Sequence, residues 1–164
     1  MTRVMLLRAL KDFTLDATRD LLLPVRVQSA EEEPQERPAE VHLMRLPDSS
    51  AAKKKAPYII HQVITGKDEQ KPGKRQTSSA EVRSIFCVYD PDEEEGGLLL
   101  LNLMERVRIA LLKQGVLDSR YQLDLEAGLE TVSYPDDTAP YYAGEMASRW
   151  RLPGIVREVS ANGR

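Results

Sequence analysis

Cysteine is nearly absent from this chain: Cys87 is the only one in 164 residues. A single thiol makes no internal disulfide and no cysteine-based zinc site. It sits in the apolar run "SIFCVYD", which carries no nearby base, so it reads as a core residue rather than a nucleophile. Histidine is almost as scarce, with two residues, His42 and His61, on separate predicted strands. They can meet across a sheet, but neither has the context of a triad or a third metal ligand. The nine glycines are scattered. Neither GxGxxG nor GxxxxGK[ST] occurs, so no phosphate cradle is legible. Apolar runs are too short to span a bilayer as a helix, which takes about 18 or more such residues. Charges recur every few residues in "MTRVMLLRALKD", which predicts no secretory leader. The chain is expected in a cytoplasm or in an assembly made there. A net charge of −3 disfavours polyanion binding across the whole surface.

What is present is a balance typical of one folded domain: 41 % hydrophobic and 30 % charged residues. The sequence predicts a helix and lead-in over 1–27, an acidic flexible linker over 28–40, an α/β core over 41–159 and a frayed tail over 160–164. Val4, Leu7, Leu10, Phe13 or Leu15, Ala17 and Leu21 follow the helical period, and Pro24 stops it. "VRV" can begin a short strand. "QSAEEEPQERPAE" has no large apolar residue and reads as linker. Strands are predicted over Val41–Leu46, about Pro57–Thr65 and Ala80–Asp90, the last two joined as a hairpin with a long polar tip over Gly66–Ser79.

The clearest helix follows "DPDEEE". Asp92 or a neighbour caps it, acids crowd its first turn, and Gly115 closes it after Lys113. Leu99, Leu100, Leu103, Met104, Val107, Ala110 and Leu111 form its buried stripe. Alternation then runs from Tyr121 to Leu129, and Val132 and Tyr134 fall out of phase, which predicts a bulge or twist near Glu130. The expected fold is α+β: a mostly antiparallel sheet of about five strands, in the order α-β-β-β-α-β-β, with helices on one face.

Two constellations can carry function. Five carboxylates fall between Asp90 and Glu95. They lack calcium-loop spacing, and a helix N-terminus favours acids, so they read as cap and solvated loop. Lys53, Lys54, Lys55, Lys67, Lys71, Lys74 and Arg75 occupy two loops; if these share one end of the sheet, they make a positive edge for an acidic partner or nucleic acid. No aromatics are interleaved for base stacking.

Aromatics are 5 % of the chain, and "APYYAGEMASRWRL", Ala139–Leu152, gathers two tyrosines and the only tryptophan. Tyr141, Tyr142, Glu145 and Trp150 can form a ligand pocket. Alternation instead puts Met146, Ser148, Trp150 and Leu152 on one strand face, ahead of the pocket reading. Arg149 and Arg151 are left on the other, for solvent or a neighbouring subunit. "APYYAGE" reads as the turn before that strand, with Gly144 supplying backbone freedom.

The segments "APYIIHQVITG", "SIFCVYDPDEEEGGLLLLNLMERVRIALL" and "APYYAGEMASRWRLPGIVRE" resemble small structural proteins of tailed bacteriophages and prophages. The closest are tail terminator or tail completion proteins of the head-tail junction. The resemblance covers Val41 to Glu158 and rests on segment order and on phrases such as "PYYAGEM". It implies a compact α/β subunit with no enzymatic activity and no cofactor. It implies a homo-oligomeric ring, commonly a hexamer, that caps the tail tube, stops its polymerisation and docks the head. Partners are then copies of the chain, the tail-tube protein and head-tail connector proteins, with DNA passing the ring lumen. The location is the virion tail or neck, after assembly in the bacterial cytoplasm. Candidate interface residues are Arg149, Arg151, the basic residues Lys53–Lys55, Lys67, Lys71, Lys74 and Arg75, and the acidic Asp92, Glu93, Glu94 and Glu95. A neck or stopper subunit is the alternative, and a small ligand-binding domain a further one.

Overall fold

The computed structural model describes residues 2–29, 31–48, 55–134 and 138–159. The tail expected to fray at 160–164 lies outside the described residues, as do Lys53 and Lys54.

Helix α1 spans Arg3–Thr18, capped by the Thr2 side chain on the Met5 N–H. Its buried face is Leu6, Leu7, Leu10, Thr14 and Thr18. Val4, expected in that stripe, faces solvent instead. The helix stops three residues before Leu21, and Pro24 lies inside β1, Leu23–Val25, rather than directly ending the helix.

The acidic stretch 28–40 is not a plain linker. It contains β2, Gln35–Arg37, which pairs antiparallel with β1. Arg37 donates to the carbonyls of Lys55 (2.8 Å), Pro57 and Pro38 (each 3.0 Å), and Ala39 is buried. Backbone pairing and one guanidinium hold this segment, and neither leaves an apolar pattern in the sequence.

The main sheet has seven strands among the described residues, not five. They are β3 (Glu40–Leu43), β4 (Tyr58–Glu69), β5 (Thr77–Tyr89), β6 (Val116–Leu117), β7 (Tyr121–Leu123), β8 (Glu130–Ser133) and β9 (Tyr141–Leu152). Their order is β3-β4-β5-β9-β7-β6, with β8 also on β9. Among the described residues only β3 and β4 pair in parallel. Helix α2, Glu93–Gln114, follows β5. The architecture is α+β, with two helices and a mostly antiparallel sheet. Helix α1 touches β3 and β4 at one edge and β6 at the other, so the sheet curls around it.

One core fills the concave side: Leu6 and Leu10 of α1, Leu103, Met104 and Val107 of α2, and Phe86, Met146 and Trp150 from the sheet. The amino-terminal helix is therefore part of the same core as the strands. A smaller cluster of Leu46, Tyr58, Ile60, Cys87 and Tyr141 lies on the other face near the start of β4.

Helix α2 keeps its expected ends. Asp92 accepts from the N–H groups of Glu94 (3.0 Å) and Glu95 (3.1 Å), and the Gly115 N–H returns to Leu111. Its buried face is Leu100, Leu103, Met104, Val107 and Leu111, while Leu99 and Ala110 are only half-buried.

The alternation read through Tyr121–Leu129 breaks at Asp124. The Asp124 carboxylate accepts from the Glu126 (3.1 Å) and Ala127 (3.4 Å) N–H groups, turning the chain. Leu125 keeps the period but stands in solvent.

Strand β9 begins at Tyr141, so "YYAGE" is strand and not turn. Gly144 has another task there: a Cβ would stand 2.8 Å from both the Met104 sulfur and the Val132 carbonyl oxygen. Its missing side chain lets α2 and β8 close on β9.

Candidate functional site

Register in β9 decides which side chains can act outward. Val82 pairs with Ser148 and Ala80 with Trp150 on the core face. Arg83 pairs with Ala147 and Glu81 with Arg149 on the open face. Trp150 is 0 % exposed and its Nε1–H donates to Ser148 Oγ at 3.0 Å. Tyr141 and Glu145 point to the opposite face from Trp150. The four residues of the conceivable pocket do not converge. Tyr142 donates to the Glu93 carbonyl at 3.2 Å, and Tyr141 packs on Tyr89 with ring centroids 5.5 Å apart.

Arg149 and Arg151 do face outward, but a partner within the chain meets them. Asp124 lies 3.1 Å from the Arg151 guanidinium and 4.0 Å from that of Arg149, and Glu126 adds a contact to Arg151 at 3.4 Å. Burial alone would raise the Asp124 pKa. The Ala127 N–H, Arg151 and the Glu126 N–H outweigh it and hold the carboxyl below its ordinary range. The same turn that ends β7 therefore supplies the counter-charge for β9.

A second ion pair sits further along this face. Arg83 binds Glu145, and Tyr134 joins them. The Tyr134 hydroxyl, with Arg83, keeps the Glu145 carboxyl low against a smaller effect of burial. Beside the pair runs an open groove of about 330 Å³, edged by Ile64, Ala127, Gly128, Glu130 and Ala147.

The described basic residues do not share one end of the sheet. Lys55 precedes β4 and donates to the Pro47 carbonyl. Lys67 lies near the end of β4, where its amine pairs with Glu69 at 2.8 Å. Lys71, Lys74 and Arg75 occupy the hairpin tip, whose turn closes through Lys74 N–H to Lys71 O at 3.0 Å. Strand β4 has 12 residues, so these groups stand about 40 Å apart along it. The hairpin strands run on to Glu69 and restart at Thr77, so the tip is only residues 70–76 rather than Gly66–Ser79. Asp92, Glu93, Glu94 and Glu95 follow β5 and lie exposed at the Lys55 end. The molecule thus carries an acidic helix start at one end and a basic hairpin tip at the other.

The two histidines do not meet. His42 pairs with Ile60 on one face, and His61 pairs with Leu43 and points into the core. Among the described residues no group of three or more His, Cys, Asp or Glu side chains is arranged to hold a metal ion. No helix there is long and apolar enough to cross a membrane.

Two features escaped the sequence reading. Leu98, Leu101, Ile109 and Leu112 line the outer side of α2 in solvent. Four consecutive leucines, Leu98–Leu101, signal this, because one helix face cannot bury all four. The other is the outer edge of β4 beyond His61. Strand β3 covers only Tyr58–His61, and among the described residues no strand pairs with that edge over Val63–Glu69.

No protein-family model matches this chain, and no curated protein matches its sequence.

Proposed function

We propose that the chain is a non-enzymatic structural protein of a phage or prophage virion. In this reading it is a ring-forming tail terminator or completion protein that caps the tail tube and joins the tail to the head. The observation that carries the reading is the placement of charge: Glu93–Glu95 at one end of the sheet and Lys71, Lys74 and Arg75 at the other. A ring needs two different, complementary patches on each subunit, and a ring between two neighbours also needs two unlike faces. The open edge of β4 beyond Val63 and the exposed leucines of α2 add surface of the kind that assembly buries.

The partners of such a subunit are copies of itself, most simply as a hexamer, the tail-tube protein and head-tail connector proteins. DNA passes the lumen without sequence readout. The subunit is assembled in the bacterial cytoplasm and resides in the tail or neck. The charged ends and the open β4 edge equally suit a neck or stopper subunit, and the neighbour bound separates the two. Electron microscopy of the purified chain, alone and with tail-tube protein, tests the reading. Rings capping tubes support a terminator, and rings that bind only head connectors support a stopper. A chain that stays monomeric with either partner overturns both.

A further inference from the structure

The segment after β9 and the open edge of β4 are complementary, and the segment leaves β9 beside the hairpin tip, where Gly154, Ile155, Val156 and Arg157 line an open cavity with Gln70 and Gln76. After Leu152 the chain runs through Pro153 and Gly154 into "IVREV", Ile155–Val159, which joins no strand. Its first amide is tethered, with Ile155 N–H donating to Gln76 Oε1 at 2.7 Å. Beyond that tether, Val156 and Val159 are 87 % and 89 % exposed, the highest values among the large apolar side chains in the described residues. β-Branched residues on an extended segment favour a sheet, and here they stand in water. The edge of β4 over Ile64–Glu69 is a row of exposed residues that lacks a neighbouring strand.

We propose that Val156–Val159 of one copy adds as a strand to the Gly66–Glu69 edge of β4 in the next copy. The inference rests on the ring reading and names its contact. Antiparallel pairing that sets Glu158 opposite Lys67 also sets Arg157 opposite Asp68. Opposite charges then face each other at both positions, where the new strand shares Lys67 with Glu69 and Asp68 with Arg3, their exposed partners within the chain. Val159 falls opposite Gly66, over which the Arg3 side chain lies. The donor segment and the acceptor edge are different surfaces of one subunit, so the contact is head-to-tail and repetition closes a ring or grows a filament. Backbone hydrogen bonds supply affinity, and the valines supply the apolar part.

The test uses the full chain. Lys67→Cys in one preparation is mixed with a differently tagged Glu158→Cys preparation under mild oxidation. Cys87 is buried and does not compete. The expected product is a mixed-tag disulfide dimer. In parallel, Val156→Lys/Val159→Lys is compared with the unsubstituted chain by sedimentation velocity across protein concentrations. The valines lie outside the core, so the circular dichroism of the folded subunit stays unchanged. Half-assembly is expected to move to about tenfold higher concentration or more. Rings that persist in the lysine variant, with no mixed-tag dimer, overturn the strand exchange and leave the ring reading standing on another surface. An unsubstituted chain that stays monomeric, alone and with tail-tube protein, overturns both.

Discussion

His61 offers the sharpest physical test of the fold, because the core holds it in one protonation state. The ring is fully buried, with Nε2 2.9 Å from Thr14 Oγ1 and Nδ1 2.7 Å from Ser84 Oγ. Thr14 uses its one hydroxyl proton on the Leu10 carbonyl at 2.7 Å, so it accepts from His61. The proton is therefore on Nε2, and Nδ1 accepts from Ser84. Protonating the ring turns Nδ1 into a second donor, strips Ser84 of its acceptor and leaves a charge in an apolar core. Burial accordingly lowers the His61 pKa from 6.5 to about 3. The unfolded chain takes up a proton below pH 6.5, and the folded chain does so only near pH 3. Folding stability is thus lost as pH falls through that window. At about 1.4 kcal/mol per unit, the loss is roughly 2 kcal/mol by pH 5 and at most about 5 kcal/mol at the bottom of the window. Urea unfolding of the chain and of His61→Gln at pH 7.5 and pH 5, at one protein concentration, measures the difference. The unsubstituted chain should lose about 2 kcal/mol more than the variant. Equal losses, or an imidazole that titrates near pH 6.5 by NMR, would refute this placement of His61.

Other substitutions probe other contacts. The buried Tyr121 hydroxyl has no hydrogen-bond partner among the described residues, so Tyr121→Phe should be neutral or stabilise by up to about 1 kcal/mol in denaturant unfolding. A loss above that would reveal a partner. Gly144→Val drives a side chain into Met104 and the Val132 carbonyl, and should cost about 1–3 kcal/mol, while Gly97→Ala, with open space around it, should not. Asp124→Asn removes the counter-charge of Arg149 and Arg151 and weakens the turn after β7, a loss of roughly 1–2 kcal/mol by thermal melting. Because the Asp124 pKa is depressed in the fold, its contribution is fully present above the ordinary carboxyl value and is lost as pH falls from there through the lower folded value, so wild type and variant should converge in acid.

The sequence carried most of the regular structure where burial imposed a period. Helix α2 kept both its cap and its stop, and Trp150 and Met146 fell on the core side of β9 as alternation requires. Where backbone pairing alone makes a strand, the pattern was silent. Strand β2 is polar throughout and held by β1 and Arg37, and β4 from Thr65 to Glu69 carries no apolar side chain. Local turn chemistry misled in the opposite direction, since Leu125 continued an alternation that Asp124 had already ended. The candidate interface was legible only as charge. Which lysines share an end depends on the 12-residue reach of β4, and the in-chain partner of Arg149 and Arg151 comes from a turn that sequence reading took for strand.

The ring itself is the most direct test of the functional reading. Negative-stain class averages of the purified chain, with mass measurement of the same sample, should show closed rings of one stoichiometry that cap tubes of added tail-tube protein. Particles that remain monomeric at every concentration, and tubes that stay uncapped in their presence, would contradict it.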